Sequence, residues 1–223
     1  MKRTDKREII ERAVIVSSDD GGIIPYCEAF YIESILYAAG RAKEAFERYE
    51  SMLKQEIEPA YLISIIQEAV GHAAALSRFF WPSGIGFKEP KEIQNLRENR
   101  GIKLRKSFGL LDTSPLMNRS LRNAWEHFDE RLDKFLLQND AGFFFPSALI
   151  GSHTLADDPM GKIFKLLDQD EGCLVLLGEK YFFRPIKEEV LRIFDHAVFC
   201  DKHGGRLKKA KNTYRGCVGP TGD

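Results

Sequence analysis

The chain is 223 residues long, with 33 basic residues against 33 acidic ones and 43% hydrophobic residues. That length buries one good-sized core with at most a small appendage, and the balance of apolar and charged residues excludes a disordered chain. With a formal net charge of zero there is no global field for a polyanion, so a nucleic acid has to be met by a local basic patch.

The first residues, MKRTDKREIIERAVIVSSDDGG, carry the charge of an export signal, but the apolar run from Ala13 to Val16 is too short for its core. No stretch approaches the roughly 18 uncharged apolar residues of a bilayer span. The expectation is a cytoplasmic protein with no membrane partner. The cysteines at 27, 173, 200 and 217 form no CxxC pair and read as free thiols.

From Pro25 to about Lys54, Tyr31, Ile35, Ala38, Ala42, Ala45, Tyr49 and Met52 recur at alternating spacings of three and four, which paints one apolar stripe along a helix. Pro59 suits the first turn of a second helix, in which Leu62, Ile66, Ala69, Ala73, Leu76 and Phe80 repeat the rhythm until Trp81-Pro82-Ser83-Gly84 breaks it. The short link makes the pair antiparallel. Glu89 to Leu110 is helical in character and is weakened in the middle by Gly101. Thr113-Ser114-Pro115 then predicts a helix start, with a hydroxyl cap and a first-turn proline, and a helix continuing to about Asn139. Met117, Leu121, Trp125, Phe128, Leu132 and Phe135 form its seam.

After Gly142 the pattern changes. Phe143-Phe144-Phe145-Pro146 reads as an apolar joint, and Lys162 to Leu167, Cys173 to Leu177 and Tyr181 to Arg184 as three short strands of a meander. Ile186 to about Cys200 is a closing amphipathic helix with Val190, Ile193, Phe194 and Ala197 on one side. The predicted fold class is mainly α. Residues 1–140 make an antiparallel bundle, 141–200 a small β-meander plus helix, and 201–223 a basic, flexible tail.

Chemistry concentrates in Arg122-Asn123-Ala124-Trp125-Glu126-His127. At about 100° per residue, Asn123 and His127 fall on the face opposite the seam and stack on each other, whereas Arg122 points about 140° away from His127. A second copy of the helix would bring the guanidinium of one chain to the imidazole of the other. Such a cleft can cleave RNA without a metal, because the substrate's 2′-hydroxyl supplies the nucleophile. An imidazole moves the proton and a guanidinium stabilises the phosphate charge.

Arg122 followed by a polar residue and then by His127 in a long helix resembles the signature of the HEPN superfamily. The resemblance implies an HEPN-like helical bundle, commonly homodimeric, and a metal-independent endoribonuclease of toxin or antiphage type, with an antitoxin protein as a possible partner. It assigns catalytic roles to Arg122 and His127 and a supporting one to Asn123. The motif covers six residues, the bundle roughly 25–140, and the C-terminal strands lie outside the common core.

Arg97, Arg100, Lys103, Arg105 and Lys106 are candidates for RNA-phosphate binding. His196, Cys200, His203 and Cys217 supply zinc-ligand types at spacings that match no usual pair. His153 has a loop setting without a visible partner, and Asp168-x-Asp170-x-Gly172 fits a strand turn better than a cation loop. Without a Walker loop, Rossmann fingerprint or zincin motif, no cofactor is expected. The alternative to an enzyme is a non-catalytic helical bundle that binds a protein or RNA, with Arg122–Glu126 an ordinary surface pair.

Overall fold

The computed structural model describes residues 5–83 and 89–210. Cys217 and the basic tail beyond 210 lie outside the described residues. Those described form seven α-helices and one four-stranded sheet, with the main hydrophobic core built from the second to fifth helices, the seventh helix and the sheet.

The N-terminal segment forms α1 (Lys6–Asp19), with the Asp5 carboxylate accepting from the Arg7 amide. A short 3-10 turn, Pro25–Cys27, leads into α2 (Glu28–Met52), which pairs with α3 (Pro59–Phe80). The predicted stripes meet at this pair: Ile35, Ala38, Ala42, Ala45 and Tyr49 of α2 are buried, as are all six apolar residues predicted for α3. The next helix, α4 (Lys91–Phe108), is continuous through Gly101. A β-carbon there would lie 2.6 Å from the Phe80 carbonyl, so glycine lets α4 approach the end of α3 closely. Gly109, at φ 62°, ends α4 in the left-handed cap expected of glycine, and the Leu110 amide returns to the Arg105 carbonyl at 2.9 Å.

The motif helix departs from expectation in two ways. Residues 113–117 form turns, because the buried Ser114 hydroxyl donates to Glu189 at 2.9 Å instead of capping a helix. The helix then begins at Ser120, and it breaks at His127 (φ −113°, ψ 34°) into α5 (Ser120–Glu126) and α6 (Phe128–Gln138). The two halves serve different surfaces. α5 buries Leu121 and Ala124 and packs on α3, whereas α6 leans on the sheet through Arg131 and through Phe135, whose ring meets Phe164 edge-on at 5.4 Å. One straight rod cannot follow both. The Lys165 ammonium lies over the stacked rings of Trp125 and Phe128, on either side of the break.

The sheet has the order β1-β2-β3-β4, with β1 (Phe143–Ile150), β2 (Gly161–Asp168), β3 (Cys173–Leu176) and β4 (Glu179–Phe182). The last three strands are the predicted meander. The predicted apolar joint is instead β1, an edge strand parallel to β2 and joined to it by a short 3-10 crossover, His153–Asp157. Its ladder shifts between Phe145 and Ala148, where Pro146 sits; a bulge at an edge is where a strand tolerates proline. Leu167, Leu174, Leu176 and Tyr181 join the helical core.

Helix α7 (Arg184–Lys202) packs along α2, burying Val190, Ile193 and Ala197. Residues 203–210, part of the segment expected to be a flexible tail, lie as a strap across the bundle. The Leu207 amide donates to Glu28 at 3.0 Å, the Lys208 carbonyl accepts from the Ser107 hydroxyl at 2.7 Å, and the Ala210 amide donates to the Ser107 carbonyl at 2.8 Å.

Candidate functional site

His127 sits at the α5–α6 junction with its side chain 59% exposed, and its Nδ1 is 3.6 Å from Glu130. Asn123 is exposed one turn earlier, and its side-chain oxygen accepts from Arg122 at 3.4 Å rather than from the imidazole. Arg122 is more enclosed, 23% exposed, and pairs with Glu126. Among the described residues no hydrogen bond or ion pair joins Arg122 to His127 within the chain. A single copy therefore keeps the two motif side chains on separate carboxylate partners. Because the helix breaks at His127, the angle of a straight helix does not apply to it.

Beyond His127, Arg131 and Lys134 of α6 border a cleft of about 210 Å³ against the β3–β4 turn, with Gln138, Phe135 and Glu179 completing it. Arg131 donates to Glu179 at 2.9 Å and to the Tyr181 hydroxyl at 2.8 Å. Burial and the neighbouring Glu179 carboxylate push Tyr181 up to about 12, so the phenol stays protonated at neutral pH.

On the other side of Arg122, a cluster of guanidiniums gathers at the end of α3. Arg119 donates through Nε to the Ser77 hydroxyl at 3.0 Å, through Nη1 to the Ser83 hydroxyl at 3.1 Å and through Nη2 to the Trp81 carbonyl. Burial, followed by repulsion from Arg78 and Arg122, holds Arg119 below the ordinary guanidinium value. Arg119 and Arg122 line one niche of about 10 Å³, room for about a single water and not for substrate. Sequence reasoning singles out neither Arg78 nor Arg119, since they belong to no local motif; Arg119 lies three residues before Arg122, and folding brings the remote Arg78 beside them.

The basic candidates on α4 are mostly held by the protein itself. Arg97 pairs with Glu89 at 2.9 Å. Arg100 donates to the Arg78 carbonyl at 3.3 Å and lies over the Tyr31 ring. The Lys103 ammonium donates to the carbonyls of Asp20 and Ile23 at 3.1 and 2.9 Å and meets the buried Glu28 carboxylate at 3.0 Å. Arg105 donates to the Phe80 carbonyl at 2.6 Å and lies over Trp81. Lys106 is exposed.

The zinc-ligand types are also engaged elsewhere. His196 Nε2 is 3.0 Å from the Lys208 carbonyl and 3.5 Å from the fully buried Cys200 thiol, and burial holds His196 below the usual imidazole value. His203 Nδ1 is 2.7 Å from the Phe199 carbonyl. Among the described residues no group of three or more His, Cys, Asp or Glu is placed to hold a metal.

His153 does have a partner, invisible in the sequence because it is fifteen residues away. Its Nδ1 lies 2.7 Å from the Asp168 Oδ2, and its backbone amide donates to the same oxygen at 2.8 Å. The Glu171 amide donates to Oδ1 at 3.0 Å. The buried carboxylate thus clasps the β1–β2 crossover and the β2–β3 turn to the sheet. Burial opposes its ionisation, but the two backbone amides and the imidazole hold Asp168 at about 2.

Comparison with known protein families, curated proteins and solved structures returns no match. No helix among the described residues is long and apolar enough to cross a membrane.

Proposed function

We propose that the protein is a metal-independent endoribonuclease of HEPN type, acting as a homodimer whose cleft combines Arg122 of one chain with His127 of the other. The observation that carries the reading is the setting of His127. Its exposed imidazole stands at the start of α6, an amphipathic helix that buries none of its residues fully and leaves Leu136 and Leu137 exposed at 45% and 85%. Such a face is suited to a second copy, which would reach the imidazole from the side that Arg122 of the same chain does not.

In the proposed step the 2′-oxygen of the substrate attacks phosphorus and the bond from phosphorus to the 5′-oxygen breaks. The His127 imidazole takes the 2′-hydroxyl proton as general base, and the departing 5′-oxygen takes a proton from water, the hydroxide so formed being neutralised by the imidazolium. Arg122 balances the charge that grows on the non-bridging oxygens, and Asn123 holds its guanidinium. The products are a 2′,3′-cyclic phosphate and a 5′-hydroxyl end. Toxin or antiphage use and an antitoxin partner extend this reading by resemblance alone.

Mixing two inactive variants tests the composite site. A mixed dimer of Arg122→Ala and His127→Ala retains one complete Arg–His combination, so the mixture is expected to regain cleavage. A mixture as inactive as its components, with subunit exchange verified, would refute it.

The second reading is a non-catalytic helical module, and the Arg122–Glu126 and His127–Glu130 pairs favour it, since both are ordinary contacts of a solvated helix. It predicts that neither substitution affects RNA.

A further inference from the structure

Cations neutralised by carboxylates leave no place for a further anion, whereas a surplus of them invites one. The end of α3 has such a surplus. Arg119, before α5, hydrogen-bonds Ser77, the neighbour of Arg78 in the last turn of α3, and lines one niche with Arg122 of α5, and both Arg78 and Arg122 oppose its charge. A single carboxylate, Glu126 on Arg122, answers them among the described residues. Arg119 has only neutral acceptors, the hydroxyls of Ser77 and Ser83 and the Trp81 carbonyl, which orient the guanidinium without cancelling it. They occupy each of its nitrogens once, leaving two of the five N–H donors of a guanidinium without an acceptor there. Arg78 is exposed, and among the described residues its guanidinium has no acceptor. The buried Trp81 Nε1 also lacks one. The geometry is that of a donor-rich, positively charged surface at the end of α3, outside the small niche, with one guanidinium fixed and a second exposed.

We infer that Arg78 and Arg119 form, with Arg122, a subsite for a backbone phosphate of the RNA, next to the phosphate that is cleaved. The inference rests on the endoribonuclease reading, which supplies RNA as the anion. It moves the phosphate contacts from α4, whose cations are largely held by carbonyls and carboxylates, to the end of α3. Arg119 is the positioned donor, preorganised by Ser77 and Ser83, and Arg78 closes on the phosphate from solvent. A phosphate bound at this surface also favours release of Arg122 from Glu126, because it offers the guanidinium a competing anion.

The test uses the full chain carrying His127→Ala to prevent cleavage, and a fluorescein-labelled single-stranded RNA of mixed sequence, titrated by anisotropy from low to moderate salt. Adding Arg78→Gln is expected to weaken binding and to reduce the slope of log K against log salt by about one, the signature of one lost phosphate contact. Arg41→Gln removes the same charge on the outer face of α2, where Arg41 pairs with Glu44, and is expected to leave the slope unchanged. Arg78→Lys is expected to restore the slope. Both Arg78 variants alter an exposed position, and a thermal melt verifies that they fold. RNA binding that is insensitive to Arg78→Gln, or equally sensitive to Arg41→Gln, would overturn the subsite and leave the nuclease reading standing. An Arg78-dependent slope in a chain whose His127-containing form cleaves no RNA would support the subsite and overturn the nuclease. No RNA binding at all overturns both.

Discussion

Replacing Asp168 with Asn should loosen the clasp that ties the crossover and the β2–β3 turn to the sheet. The side chain is 6% exposed and accepts three hydrogen bonds, two from His153 and one from Glu171. An amide of the same shape can accept on one side only, so its NH2 group must face either the His153 donors or the Glu171 amide. The displacement of Asp168 from 3.8 to about 2 sets the scale. At about 1.4 kcal/mol per unit it corresponds to a stabilisation of about 2 kcal/mol by the charged form. For a chain of this size that is a fall in Tm of about 4–8 °C. The sign with pH follows from the direction of the shift. A carboxylate whose folded value is depressed stabilises fully above its unfolded value, and the effect disappears as pH falls toward the folded one. Urea unfolding of the wild type and Asp168→Asn should therefore show a gap of about 2 kcal/mol at pH 7 that begins to close below about pH 5 and is nearly gone near pH 2. A variant as stable as the wild type at pH 7, or a gap that stays constant into acid, would refute the reasoning.

Two glycines of the helical bundle should respond oppositely to alanine. Gly101→Ala forces a β-carbon against the Phe80 carbonyl at 2.6 Å and Pro82 Cδ at 2.9 Å, and chemical denaturation should register a loss of about 1–3 kcal/mol. Gly71→Ala, exposed in α3 with nothing within 4 Å, should gain about 0.5–1 kcal/mol in the same assay. Lys103→Met leaves the buried Glu28 carboxylate without its ammonium, so it should cost about 3 kcal/mol or more, while Lys106→Gln on the same helix should change stability by less than about 0.5 kcal/mol. Equal melting temperatures for these two lysine variants would contradict a structural role for the α4 cations.

Much of the helical architecture is legible in the sequence. The three-four rhythm of α2, α3 and α7 marks the residues that become core, because a helix buries one stripe and each of these stripes has a facing surface. The break at His127 is not legible, since the seam from Leu121 to Phe135 continues across it in phase; the turn arises from α5 and α6 packing on different partners. Pro146 conceals β1, because a proline in an apolar run argues against a strand until an edge and a bulge are known to accommodate it. Sequence also reveals where cations are but not what they face. The α4 run advertises five of them, and folding turns four toward carbonyls or carboxylates, while Arg78, far away in the chain, is brought beside Arg119 and Arg122. The candidate motif is visible in the sequence, but the separate pairing of Arg122 with Glu126 and His127 with Glu130 depends on side-chain contacts that no spacing reveals.

The most direct test of the central claim is RNA cleavage in EDTA by the wild-type chain beside Arg122→Ala and His127→Ala, with the product ends identified. The wild type is expected to cut RNA without a metal and to leave 2′,3′-cyclic phosphate and 5′-hydroxyl ends. Loss of the imidazole should slow cleavage by about 10²–10⁴-fold, the usual contribution of a general acid or base. Equal activity in all three proteins, or none in a well-folded wild type, would contradict it.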